Sequence, residues 1–97
     1  MTPMKRLEFV IDALELSAVC AVLEQAGVTG YTVIREVTGK GERGDRGGDD
    51  LTGALKNGYI FCACNDAQAR AVAESIRPIL RSLGGICLIT DCLWVEH

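Results

Sequence analysis

Apolar and polar positions alternate over residues 5–12, with Leu7, Phe9 and Ile11 on one side and Glu8, Val10 and Asp12 on the other. Period two is the mark of a strand with one buried face. The rhythm then changes. Leu16, Val19, Cys20, Leu23 and Ala26 recur at helical spacing, with Ser17 placed to cap the helix and Gly27 to stop it. After Gly30, residues 31–39 are rich in β-branched side chains and read as a second strand. Residues 58–65 (GYIFCACN) read as a third, apolar on both faces. Asn65 then caps a second helix, and Gln68 three positions on completes a capping box. Its apolar stripe is Ala69, Val72, Ala73, Ile76, Leu80 and Leu83, and Pro78 is expected to kink or restart it near Arg77. Gly84 and Gly85 end that helix, and residues 86–95 form the last strand. The order β-α-β-β-α-β predicts a single α+β domain over residues 1–97, ferredoxin-like, with a four-stranded antiparallel sheet.

One segment breaks the pattern. Residues 40–56 (KGERGDRGGDDLTGALK) hold five glycines, four basic and four acidic residues, and only Leu51, Ala54 and Leu55 as aliphatic side chains. Connections between strands usually take 2–5 residues, and long structureless ones are functional or disordered. Ordering each residue here costs about 1–2 kcal/mol of backbone entropy, with no apolar stripe to offset it. The segment is therefore expected to stay mobile until a ligand or partner holds it.

Composition narrows the class. Ninety-seven residues suffice for one small core. The hydrophobic fraction is 48%, yet its apolar runs are strand-sized, so membrane insertion is not expected. Lys5 and Arg6 do not open a secretory signal, because Glu8, Asp12 and Glu15 interrupt the apolar run that such a signal needs, and a cytoplasmic location is expected. The net charge of −3 disfavours nucleic-acid partners held through phosphates. Five cysteines (Cys20, Cys62, Cys64, Cys87, Cys92) read as reduced thiols packed as small hydrophobes. Cys62 and Cys64 share a strand face about 6.6 Å apart, which suits neither a relaxed disulfide nor a C-x-x-C metal site. A copper or zinc site has little support, since His97 is the only histidine.

The candidate chemistry lies at the ends of the strands. Gly39-Lys40-Gly41 stands where the second strand enters the long connection, and glycines there let backbone N–H groups approach a phosphate. Lys40, Arg43 and Arg46 add charge-assisted donors for a phosphate. Gly84 and Gly85 form a second glycine pair, leading into Ile86.

These two patterns in one βαββαβ chain resemble the PII signal-transduction family. The segment GVTGYTVIREVTGKG, residues 27–41, looks like the family's exit from the first helix, second strand and base of the T-loop. The resemblance extends over nearly the whole chain in element order. It implies a homotrimer whose intersubunit clefts bind adenine nucleotides between the T-loop base and the B-loop before the last strand. Carried over by position, Thr32 contacts adenine, Gly39, Lys40 and Gly41 flank the nucleotide, and Gly84, Gly85 and Ile86 are what remains of the B-loop.

The departures from the family refine that expectation. Gly85 runs straight into Ile86 and Cys87, so the B-loop is compressed and lacks its lysine. The basic residues that hold outer phosphates after the last strand have no counterpart before His97. AMP or ADP is thus expected to bind at least as well as ATP. Residues 40–56 contain neither tyrosine nor serine, so uridylylation is not expected. These features look like the PII-like subgroup linked to bicarbonate transporters and carboxysome gene clusters. That likeness implies joint sensing of adenylates and inorganic carbon, read out by a transporter or carboxysome component, with bicarbonate near Lys40, Gly41, Arg43 and Arg46.

Other readings of the same topology are a regulatory amino-acid-binding domain and, less favoured, an RNA-recognition domain. For the latter, Tyr59 and Phe61 share a strand face, but strand one offers only Phe9 and the chain is acidic. No Ser/His/Asp set or metal cluster suggests an enzyme, and Glu42, Asp45, Asp49 and Asp50 read as solvated loop charge. Trp94 reads as a core or subunit-interface residue rather than a ligand platform.

Overall fold

The computed structural model describes residues 1–41, 44–46 and 56–97. Strand β1 (Thr2–Asp12) leads through a 3-10 turn (Ala13–Glu15) into α1 (Leu16–Gln25). Strand β2 (Thr32–Val37) is followed by the short strands β3 (Gly39–Gly41) and β4 (Gly44–Arg46). Then come β5 (Asn57–Cys64), α2 (Asp66–Leu83) and β6 (Ile86–Trp94). The main sheet has the order β2-β5-β1-β6, every pair antiparallel, as the ferredoxin-like reading requires.

The core lies on one face of this sheet. Leu7, Phe9 and Ile11 from β1 and Ile60, Cys62 and Cys64 from β5 pack with Leu16, Val19 and Leu23 of α1 and Ala69, Val72 and Ile76 of α2. The alternation read from residues 5–12 therefore sorts the two faces as expected. Burying each large aliphatic or aromatic side chain contributes about 1.5–3 kcal/mol. Cys62 and Cys64 sit in that core as packed thiols, only 3% and 2% exposed.

The second helix begins as its sequence suggests. Asn65 Oδ1 accepts from Gln68 N at 2.8 Å, and Asn65 N donates to Gln68 Oε1 at 3.0 Å. Gln68 Nε2 also donates to the Gly27 carbonyl at 2.9 Å, tying α2 to the exit of α1. Gly27 has φ +85°, a left-handed stop that glycine adopts without a Cβ penalty.

Four local expectations are corrected. Ser17 is not the cap of the first helix: Asp12 accepts from Leu14 N at 3.0 Å and caps the preceding 3-10 turn instead. Pro78 does not restart α2, which runs unbroken from Asp66 to Leu83. Pro78 and Glu74, whose carbonyl loses its partner, both lie on the exposed side, where water can serve that oxygen. Leu83, placed on the apolar stripe, is 39% exposed. The second strand also stops at Val37, after a register shift between Ile34 and Val37, rather than running to Gly39. Gly39, Lys40 and Gly41 belong instead to a two-stranded ribbon paired with Arg46, Asp45 and Gly44. The expected loop of residues 40–56 thus begins as a β-ribbon, and residues 42, 43 and 47–55 lie outside the described residues.

Candidate functional site

The sheet's second face carries the residues that alternate with the core. Pairing places Thr32, Phe61, Glu8 and Leu88 in one row across all four strands. Ile34, Tyr59, Val10 and Ile86 form the next row. Many of these positions are apolar and wet: Ile34 is 48% exposed, Phe61 39%, Ile86 50% and Leu88 51%.

A polar knot sits among them. Arg6 Nη2 lies 2.7 Å from Glu8 Oε1, and the Tyr59 hydroxyl donates to the same oxygen at 2.7 Å. Tyr59 first, then Glu8, holds the Arg6 guanidinium above its already high ordinary value. Arg6 is thus a fixed positive charge on an otherwise apolar face.

A cleft of about 780 Å³ opens here, lined by Arg6, Thr29, Gly30, Thr32, Phe61, Ala63, Cys92 and Trp94 among others. Trp94 is 47% exposed, so the core alternative considered for it is corrected: its indole forms part of the cleft wall. The Tyr31 hydroxyl donates to Glu24 Oε1 at 2.9 Å, and that bond to Glu24 pushes the phenol up to about 12. The strand start beside Thr32 is anchored to α1 by this contact.

Thr32 lines this cleft, but the glycines are elsewhere. Val37, Asn57 and Asp12 form a row at the opposite end of β2, and Ile86 pairs with Val10 at the same end of β6. Gly39 and Lys40 follow Val37 there, and Gly84 and Gly85 precede Ile86. Thr32 and Val37 are five residues apart, but across the bulge their β5 partners Phe61 and Asn57 are four apart, about 13 Å along the sheet. Within one chain the structure thus joins the T-loop base and the Gly84–Gly85 turn at one end, about 14 Å apart across three strand spacings. It leaves Thr32 at a distance from both.

The two glycine groups differ physically. Gly84 and Gly85 have φ +80° and +97°, and a Cβ on Gly85 would meet the Val10 carbonyl oxygen at 2.7 Å. Glycine is compulsory at 85 for local reasons. Gly39 has no such need, because nothing lies within 4 Å of a Cβ built there. Lys40 is exposed, and Lys56, just before β5, pairs with Glu36 near the end of β2 at 3.0 Å. Arg43 lies outside the described residues, and Arg46 is placed only by its backbone pairing with Gly39.

Several cleft residues escape the sequence reading: Arg6, Thr29, Phe61 and Trp94. They come from four separate segments and meet only through the β2-β5-β1-β6 order, so no local motif could flag them.

Three of the five thiols, Cys62, Cys64 and Cys87, are chemically quiet. Burial, then the neighbouring Cys64, pushes Cys62 up to about 12, and burial pushes Cys87 up to about 11 and raises Cys64. A protonated thiol is neither a good metal ligand nor a good nucleophile at neutral pH. Among the described residues no three of His, Cys, Asp or Glu are grouped to hold a metal, and no helix is long and apolar enough to cross a membrane.

The family described as nitrogen regulatory protein P-II matches residues 4–96 of this sequence. No curated protein sequence matches it. Among solved structures, CPII of Thiomonas intermedia, bound to ADP and bicarbonate, aligns with TM-score 0.83 and 26% identity. That alignment covers 93% of this chain and 86% of CPII. CPII described as a nitrogen regulatory PII-like protein, bound to ADP, AMP and bicarbonate, gives TM-score 0.85 at 24% identity, again over 93% and 86%. A PII-like signaling protein of Thermus thermophilus aligns over 97% of this chain and 90% of its own, with TM-score 0.79 and 19% identity.

Proposed function

We propose that this chain, which belongs to the nitrogen regulatory protein P-II family, is a PII-like sensor that binds ADP or AMP together with bicarbonate in clefts between its own copies. The observation that carries this is the split site. Thr32 and its cleft lie at least about 13 Å along the sheet from the T-loop base, so a nucleotide seated at both takes one half from a second copy. The apolar patch of Ile34, Phe61, Ile86 and Leu88, spread over two adjacent rows, gives those copies a surface to share. Three copies closing their open sheet faces around an axis is the cyclic arrangement that buries it. The binding of ADP, AMP and bicarbonate by CPII supports the ligand assignment.

Within this assembly, Thr32 faces the adenine, and Gly39, Lys40 and Gly41 approach the phosphates from one side. Gly84, Gly85 and Ile86 line the other side. Bicarbonate sits near Lys40, Gly41, Arg43 and Arg46. Arg6 is the sole cation among the cleft's described lining residues, and Glu8 already engages it. Gly85 runs straight into Ile86 and Cys87, so no lysine stands at the Gly84–Gly85 turn to meet a γ-phosphate, which favours the shorter nucleotides. Residues 40–56 carry the ligand state to a protein partner in inorganic-carbon uptake or fixation. The role is signalling, not catalysis.

Calorimetry with AMP, ADP and ATP, each with and without bicarbonate, tests this. ADP and AMP should bind at least as tightly as ATP, and bicarbonate should tighten the preferred nucleotide. ATP binding more than about tenfold tighter than ADP would overturn the ranking. No heat with any of the three would overturn the nucleotide reading itself. An amino-acid or RNA screen would then be the next step.

A further inference from the structure

We infer, resting on the nucleotide-binding reading above, that the Phe61 ring is the wall against which the purine base stacks, with Thr32 meeting the edge of the base. Phe61 and Thr32 are register partners on the open face of the sheet. Cross-strand partners stand about 4.5–5.5 Å apart at their Cβ atoms. Both residues line the cleft, and Phe61 is 39% exposed. The register also fixes which side of Phe61 the cleft occupies. Ala63 and Arg6 fill the next row toward the starts of β1 and β2, about 7 Å away, and both line the cleft. Ile34, Tyr59, Val10 and Ile86 fill the row on the other side, and none of these lines it. Tyr59 backs Phe61 from there. Its ring lies 6.0 Å from that of Phe61, tilted by 38°, and its hydroxyl is pinned by the 2.7 Å bond to Glu8. Ala63, next on the same face of β5, carries only a methyl and leaves the space beside the Phe61 ring unfilled. A purine needs a π-surface for its faces and hydrogen-bonding groups for its edge. Phe61 supplies the first, and the hydroxyls of Thr32 and Thr29 supply the second. An amino-acid ligand would need both charges of its zwitterion met. Arg6, already engaged by Glu8, is the sole charged group among the cleft's described lining residues.

The chain has two phenylalanines, and Phe9 is fully buried, which makes the test direct. Full-length protein with isotope-labelled phenylalanine rings is titrated with ADP and with AMP, following heat by calorimetry and contacts by NMR. Nuclear Overhauser effects from adenine H2 or H8 to the Phe61 ring are expected, and none to Phe9. Phe61→Leu keeps an apolar side chain but removes the π-surface. It should weaken ADP binding about tenfold, the scale of one base–aromatic stack, and Phe61→Tyr should keep most of the affinity. Light scattering checks that both variants keep the parent's mass. If Phe61→Leu does not assemble, the wild-type Overhauser contacts decide alone. Heat of binding without those contacts, or equal affinity in Phe61→Leu, overturns the stacking role and leaves the nucleotide reading standing, with Phe61 then only a contact between copies. No heat with either nucleotide removes the nucleotide reading and the stacking role with it.

Discussion

At the scale of single residues, glycines that look alike in sequence separate once their surroundings are known. Gly85 is locked by φ +97° and by the Val10 carbonyl oxygen, 2.7 Å from where an alanine Cβ would stand, so Gly85→Ala should cost about 2–4 kcal/mol. Gly39 meets nothing within 4 Å, and Gly39→Ala should change stability by less than about 0.5 kcal/mol. If a phosphate approaches its backbone, however, that same methyl will weaken ADP binding. Thermal melts and calorimetry on the two variants check both halves: a Gly39→Ala protein that melts and binds like its parent would remove Gly39 from the site. The thiols give a second residue-scale prediction. Cys62 is held near 12 and Cys87 near 11, against about 8.5 for a thiol in an unfolded chain. Above pH 8.5 the unfolded chain therefore loses protons first. Their contribution to stability is complete below that pH and falls as pH rises toward 11–12, by roughly 1 kcal/mol per pH unit for each thiol. Denaturant melts between pH 8 and 10.5 under reducing conditions should show the decline, and Cys62→Ala should flatten it. The C-x-C spacing already places Cys62 and Cys64 on one face, but their chemical silence comes from burial, which spacing does not reveal.

At the scale of elements, regular periodicity is legible in the sequence and irregularity is not. The alternation of Leu7, Phe9 and Ile11 and the Asn65–Gln68 capping box translate directly into β1 and the start of α2, because both are local patterns with local causes. The cap at Asp12 is hidden because a strand's last residue serves it, while Ser17 offers a hydroxyl at a more familiar position. The register shift between Ile34 and Val37 is hidden because a bulge is defined by the partner strand β5, not by β2 alone. The β3–β4 ribbon likewise lies in a glycine-rich, charged run with no alternation to announce it. If a nucleotide phosphate binds at this end as proposed, the ribbon, which follows β2 next to the Glu36–Lys56 pair, is the first part of the segment to feel it. A ligand shifts such a segment only by its differential affinity for the segment's states. Trypsin sites at Arg43 and Arg46 report on this. Cleavage there should slow several-fold when ADP and bicarbonate are added together, followed by the loss of intact chain on a gel. Equal rates with and without ligands would mean that these residues do not carry the signal.

At the scale of the whole molecule, the sequence shows that β5 is apolar on both faces, yet only the sheet order shows where the second face is continued. Tyr59 and Phe61 face away from the core, with ring centroids 6.0 Å apart, and β1 and β6 extend their surface with Val10, Ile86 and Leu88. The cleft is illegible for the same reason, since Thr29, Phe61, Arg6 and Trp94 lie on segments far apart in sequence. An apolar face that surrounds the Arg6–Glu8–Tyr59 knot is suited to self-association, because those polar groups pair within one chain and keep these partners when a copy covers them. Leu88 is the sharpest probe of it: it pairs in register with Glu8, is 51% exposed, and contributes nothing to the buried core. Leu88→Asp should therefore leave the subunit folded while placing a carboxylate in the shared interface. Light scattering should give three times 10.4 kDa for the parent and fall toward 10.4 kDa for the variant, with ADP binding lost in step because each cleft needs two copies. Leu14→Asp, 68% exposed in the turn before α1, is the control that should keep both mass and binding. A Leu88→Asp protein that runs at 10.4 kDa yet binds ADP like its parent would place the whole site within one chain and end the case for an intersubunit cleft.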